Sequence, residues 1–505
     1  MSPIAVTKYG KVRGVKTASA LDTEYISFYG IPYGTVPVGE LRFKDPIPPA
    51  EWTEVYDATR QNPSCFAVDS HLKKVVGTED CLNLNIYTKN LQPEKLYPVM
   101  FYIFGGGFNT GSNSTALYGP DFLLMTDVIV VVCDFRLGPL GFMHFKDKSL
   151  NVPGIVIVLV PCPLIFRWKN GNRPAIILSG SVFISHSSKY QSINFPLRLA
   201  KRLGYTGSDE DRDVLKFLQS ADPVRMAEEQ NKIILPEETG YVHHAFYPHI
   251  EPYQTNDTFI SANHLELSRK AWGNDIDILV GHTSDERLVC LTVIAKDPTI
   301  LSELNLDSAI PHELNLVDEE KRREFVQRIR DFYYGTTEPT KDEMGYCQWK
   351  SDNLFKHTVT RLIESRQNSN GKGKTYFFRF AVDSPTMNNF RLARNRPNVR
   401  GVLHADEVSY YFKHNFGPMP DQQSMEFTAV NRFVSLMTSF ATTGNPNDNV
   451  LNADLQNVVW HPVDTKNHPV KLLNIDENLE FKIQPEAERL MFWNQLYVET
   501  DTPLY

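Results

Sequence analysis

Short runs rich in Val, Ile, Phe and Tyr recur along the chain without strict alternation. They are "PVMFYIF" (Pro98–Phe104), "DVIVVVCDF" (Asp127–Phe135), "AIILSG" (Ala175–Gly180), "DILVGH" (Asp277–His282) and "TYFFRF" (Thr375–Phe380). Apolar runs of this length suit strands covered by helices on both faces. Between them lie segments with helical spacing, such as "EEKRREFVQRIRDFYY" (Glu319–Tyr334) and "FKHTVTRLIESRQ" (Phe355–Gln367). In the second, Phe355, Val359, Leu362 and Ile363 fall near one face. Strands alternating with helices predict an α/β fold on a mostly parallel sheet, with function at the loops beyond the strands' C-terminal ends. No repeat, low-complexity tract or linker interrupts the pattern, so residues 1–505 are read as a single domain.

Composition narrows the class. With 42% hydrophobic and 22% charged residues, the chain has the make-up of a soluble globular protein. A net charge of -8 lacks the basic face that a general nucleic-acid binder needs, so that class is excluded and small molecules or proteins remain as partners. The longest apolar run, Gly154 to Phe166, is broken by Pro161 and Pro163 and falls short of the roughly 20 residues of a membrane span. "MSPIAVTKYGKVRGVKTASA" carries Lys8, Lys11, Arg13 and Lys16 and has no apolar core for a signal peptide. Six cysteines at no metal-ligand spacing make neither a disulfide scaffold nor a metal site. The expectation is a cytoplasmic protein with reduced thiols; the Asn-x-Ser/Thr sites at Asn113 and Asn256 matter only with a longer N-terminus.

Three stretches carry candidate chemistry. In "YIFGGGFNTGS" a β-rich run ends at Phe104 and meets Gly105, Gly106 and Gly107. Glycines at a strand end can turn several N–H groups toward one developing oxyanion, or can simply make a tight turn. A phosphate loop fits worse, because Gly106 and Gly111-Ser112 have the outer spacing but no lysine follows. In "GHTSDERLV", Glu286 follows a β-rich run, where an acid can orient an imidazole or merely be solvated. In "RGVLHADEVSYYF", His404 lies among apolar and acidic neighbours.

Taken in order with "FYGIPYGTVPVGELRFKDP", "TEDCLNLNIYT", "FRLGPLGF", "SLNVPG", "EPYQTND" and "FATTGNPN", these stretches resemble the carboxylesterase/cholinesterase family, and within it the intracellular insect α-esterases. The resemblance spans nearly the whole chain and implies an α/β-hydrolase fold. It also implies hydrolysis of small to medium lipophilic carboxylic esters through a serine acyl-enzyme, with no metal or organic cofactor. By it, Glu286 matches the triad acid, His404 the base, Gly106 and Gly107 oxyanion-hole donors, and Arg42 with Glu79 a structural salt bridge. Cys65 and Cys81 match a disulfide of secreted relatives; without a signal peptide they are expected to be reduced.

One part is missing. The family's nucleophile sits in Gly-x-Ser-x-Gly on a sharp strand-to-helix turn, and no such motif occurs in this chain. Between "NVPG" and "ILSG" only residues 155 to 176 remain. A crossover helix, the nucleophile strand, its helix and their loops need roughly 45 to 60 residues at ordinary lengths. The sheet is therefore expected to lack or replace the nucleophile strand. "IVIVLV" (Ile155–Val160) has strong β propensity and is read either as that replacement, ended by Pro161, or as an exposed run. Ser179 and Ser181 are the nearest serines, but no elbow lifts either toward His404. Two smaller departures accompany the gap. Arg287 stands where the family usually has glycine and could draw Glu286 from His404; Phe104 stands where His is common. The resulting expectation is a carboxylesterase-family chain defective in catalysis, with a ligand-sequestering or protein-interaction module as the alternative.

Overall fold

The computed structural model describes residues 2–69, 74–153, 174–183, 193–238, 244–248, 250–251, 258, 260–302, 306–394, 398–448, 455–464 and 469–505. Most of the atypical stretch, with "IVIVLV", lies outside the described residues, as does Asn256. The described chain forms two compact units, Met1–Gly171 with Lys189–Asn263, and Asn172–Ser188 with His264–Tyr505.

The first unit holds a five-stranded sheet in the order Val15–Ala18, Glu24–Pro32, Asn83–Thr88, Ile129–Cys133, Val99–Tyr102. Its pairs are antiparallel except the last, where Ile129–Cys133 runs parallel to Val99–Tyr102. Only a short turn joins Val15–Ala18 to Glu24–Pro32, and a connection that short can join only antiparallel strands. The parallel character expected of the whole sheet therefore fails at this end. The same unit holds a core of Phe43, Phe142, Phe145, Leu199, Leu218 and Met226.

The second unit holds another five-stranded sheet, Ala175–Leu178, Ile278–Thr283, Thr375–Phe380, Lys471–Ile475, Leu479–Ile483. The first three pairs are parallel and the last is an antiparallel hairpin. All six residues of Ile278–Thr283 are buried, as a central strand covered on both faces requires. Gly281 has no Cβ because one would sit inside the Phe378 ring of the neighbouring strand. The helices Glu319–Tyr334 and His357–Gln367 form where the apolar spacing places them. The first is capped by Asp318, whose side chain accepts from the Glu320 and Lys321 N–H groups.

All five β-rich runs read from the sequence contain strands. Among the described residues, Val99–Tyr102 and Ala175–Leu178 are each the end strand of their sheet. No helix among the described residues is long and apolar enough to cross a membrane.

Candidate functional site

The site is built by two loops that hydrogen-bond each other within the second unit. The Ile278–Thr283 strand runs into Ser284, Asp285 and Glu286. Asp285 donates its N–H to the Val402 carbonyl at 3.0 Å, and His404 donates its own to the Glu286 carbonyl at 3.1 Å. Asp406 braces the second loop by accepting from the Leu403 N–H at 2.8 Å and the Arg391 N–H at 3.0 Å. Lys356 braces the first, donating to the Ser284 carbonyl at 2.7 Å while pairing with Glu486 at 3.2 Å. Side chains on both loops are thus fixed by backbone pairing.

Those loops bring Glu286 and His404 together. The His404 Nδ1 lies 2.6 Å from Glu286 Oε2. The other carboxylate oxygen accepts from the Thr283 N–H at 2.8 Å and the Ser179 hydroxyl at 2.5 Å. Glu286 is fully buried, which would raise its pKa, but the charge and hydrogen bond of His404 and the Ser179 hydrogen bond hold it below the ordinary carboxylate value. Desolvation pulls the His404 pKa down; the Glu286 charge and hydrogen bond outweigh it, with Glu407 adding and Arg287 opposing, so the net shift is upward. An ionised acid bonded to Nδ1–H leaves the Nε2 lone pair outward, the tautomer a general base needs. The His404 side chain is 43% exposed, its ring is 4.7 Å from that of Phe355, and Nε2 has no hydrogen-bond partner among the described residues.

The nearest serines do not meet that nitrogen. Ser179 follows the Ala175–Leu178 strand with a φ of 52° and is buried, with its hydroxyl committed to Glu286. It therefore stands on the acid side of the imidazole, whereas a nucleophile must stand at Nε2. Ser181 donates to the Thr358 carbonyl at 2.6 Å. Arg287 does not draw Glu286 away, contrary to the expectation. Its N–H donates to the Ser351 hydroxyl at 2.9 Å and its charge lies near the Cys290 thiol, while Glu286 keeps its bond to His404.

In the first unit, Gly106 and Gly107 follow the Val99–Tyr102 strand with φ values of 148° and 59°, conformations that favour glycine. A Cβ on Gly107 would lie 2.8 Å from His244 Nε2, so that imidazole faces the glycine turn. Phe104 is buried and stacks on Phe135 at 4.5 Å. Arg42 makes two parallel bonds to Glu79, at 2.7 and 2.6 Å, and also donates to the Leu218 and Ala221 carbonyls. Cys65 and Cys81, expected to be reduced, are joined in a disulfide with Cα atoms 4.8 Å apart. That expectation rested on the start of the chain, whereas bridging depends on local backbone spacing, which here is within reach. Asn113 is no glycan acceptor either: it is buried and donates to Asn83.

Three contributors carry no signal that sequence reasoning used. In the sequence Ser179 is a candidate only for the nucleophile, and Lys356 reads as one polar residue of an amphipathic helix. His244 belongs to no motif. Among the described residues, no group of three or more His, Cys, Asp or Glu residues is arranged to hold a metal ion.

Comparison with known proteins bears on the family and the fold. The model of the carboxylesterase family matches residues 1–154 and 167–493, and its interruption falls in the stretch where the serine motif is missing. Esterase B1 of Culex pipiens is 34% identical over 535 aligned positions, covering 98% of each chain. That alignment is longer than the present chain, so the relative carries residues with no counterpart here. A juvenile hormone esterase of Tribolium castaneum is 25% identical, covering 97% of this chain and 93% of the relative. The crystal structure of juvenile hormone esterase from Manduca sexta, with OTFP covalently attached, superposes with a TM-score of 0.82 at 23% identity, covering 99% and 100% of the two chains. That likeness establishes the α/β-hydrolase fold. With the family model matched along nearly its whole length, the chain belongs to the carboxylesterase family.

Proposed function

We propose that this chain engages small to medium lipophilic carboxylic esters but does not turn them over through a serine acyl-enzyme. Glu286 and His404 act as the acid and base of the family, and Gly106 and Gly107 are its oxyanion donors by position in the motif. The observation that carries the reading is the commitment of Ser179, the first serine after the atypical segment, to the carboxylate of Glu286 rather than to His404 Nε2. The absence of Gly-x-Ser-x-Gly supports it from the sequence. An ester-binding surface survives in this account, with the Phe355 ring beside a half-exposed imidazole. The relatives named juvenile hormone esterase make lipophilic esters the class to test first.

A fluorophosphonate probe reports a serine activated by its histidine. The expected result is no stoichiometric labelling of the intact chain, alongside saturable binding of a lipophilic ester by calorimetry. Labelling of a serine that disappears in His404→Ala overturns the reading. So does the absence of ester binding by a protein that melts cooperatively.

A further inference from the structure

We propose that His404 is itself a nucleophile, and that the His404–Glu286 pair hydrolyses activated carboxylic esters, aryl esters above all, through an acyl-imidazole. This rests on the reading that no serine stands at Nε2. Three observations support it within the second unit alone. Nδ1 is held by a buried carboxylate at 2.6 Å, so the lone pair is fixed on Nε2. The imidazole is 43% exposed, and no described residue occupies the hydrogen-bonding position of Nε2. The Phe355 ring, 4.7 Å from the imidazole, offers an apolar wall for an aryl group. Where a serine would ordinarily intervene, the same nitrogen can meet the carbonyl carbon directly, and histidine is a competent covalent nucleophile.

The step balances as follows. The Nε2 lone pair bonds to the acyl carbon, and the bond from that carbon to the aryloxy oxygen breaks, the aryloxide leaving with the electron pair. The acyl-imidazolium so formed keeps Nδ1–H on Glu286, whose negative charge stabilises it. Water adds to the acyl carbon, the C–N bond returns its electrons to Nε2, and the carboxylic acid departs, its proton passing to solvent. The substrate class follows from this chemistry. An aryloxide bearing an electron-withdrawing group, such as p-nitrophenoxide, leaves the tetrahedral adduct in competition with imidazole, so activated aryl esters go forward. An alkoxide leaves less readily, so alkyl esters revert.

Attack needs the neutral imidazole, and the charged groups near it are Glu286, Glu407 and Arg287. The rate should therefore rise with pH through a midpoint above 6.5, the ordinary histidine value, and Glu286→Gln should move that midpoint down. The test uses p-nitrophenyl acetate with the full chain. We expect His404-dependent hydrolysis above the buffer rate, with His404→Ala losing on the order of a hundredfold. Added imidazole should restore the rate of His404→Ala saturably, which a variant that merely failed to fold would not do. Equal rates in the natural chain and His404→Ala overturn the proposal. A pH-independent rate also overturns it. Fluorophosphonate labelling in the same preparation separates the two failures: a labelled serine ends the reading above, whereas no label and no His404-dependent rate end only this one.

Discussion

At the scale of single residues, the buried carboxylate of Glu286 has more partners than an acid–base pair alone needs. Thr283 and Ser179 hold one oxygen while His404 takes the other. A hydrogen bond to a buried charge is worth about 1.5–3 kcal/mol, so Ser179→Ala should destabilise the fold by about that much. It should also raise the Glu286 pKa, since the Ser179 hydrogen bond helps hold it down. The titration of the Glu286 carboxyl, followed by carbon NMR, checks this: the account expects its midpoint to rise, and an unchanged midpoint contradicts the assigned contact. Glu286 and His404 were legible in the sequence because the family's motifs surround them. Ser179 was rightly set aside as a nucleophile, but nothing in "LSG" tells which group its hydroxyl meets. Only the three-dimensional contact shows that it donates to the acid.

At the scale of elements, the central question is what keeps two loops in register. Residues 285 and 286 pair with 402 and 404, and beside them the Lys356 ammonium reaches the Ser284 carbonyl and Glu486. Arg379 shares Glu486, so removing Lys356 leaves that acid half compensated and the carbonyl unpaired. Breaking a buried pair in this way costs about 3–5 kcal/mol, so Lys356→Met should lower the unfolding free energy by about that much, read as a lower denaturation midpoint. A midpoint within the error of the natural chain contradicts the clamp. The Cys65–Cys81 disulfide closes a loop of 16 residues in the other unit, for which chain entropy gives about 3 kcal/mol. Reduction with dithiothreitol should therefore lower stability measurably; no change would place the thiols in the reduced state expected from the sequence. The strands and helices themselves were readable, since runs such as "DILVGH" leave no choice but burial on both faces. Strand direction in the first unit was not, because it follows from connection length rather than from residue type.

At the scale of the whole molecule, buried titratable groups set the pH at which the fold is strongest. Burial pushes Asp134 and Asp406 up to about 7 and, with the charge of Glu286 adding, Glu407 up to about 8. These acids hold protons in the folded state that the unfolded chain has released, so stability falls as pH rises toward those values. His404 adds to this, its contribution being full below 6.5 and lost as pH rises through its raised value. Burial lowers His357 to about 3 and His414 to about 4, so their contribution is full above 6.5 and lost as pH falls. Glu313, held at about 2 by His264 and Arg361 against its burial, loses its share only below the ordinary carboxylate range. Asp134, Asp406, Glu407 and His404 therefore each lower stability as pH rises from 6.5 to 8.5. Urea denaturation at the two pH values checks it, and greater stability at pH 8.5 contradicts it. The most direct test of the central claim, an acid–base pair assembled without its serine, is to map the acyl group. The chain is incubated with a p-nitrophenyl ester, quenched in acid and digested, and each serine peptide and the His404 peptide are weighed. The account predicts no acylated serine in any peptide; an acyl-serine whose formation depends on His404 would contradict it.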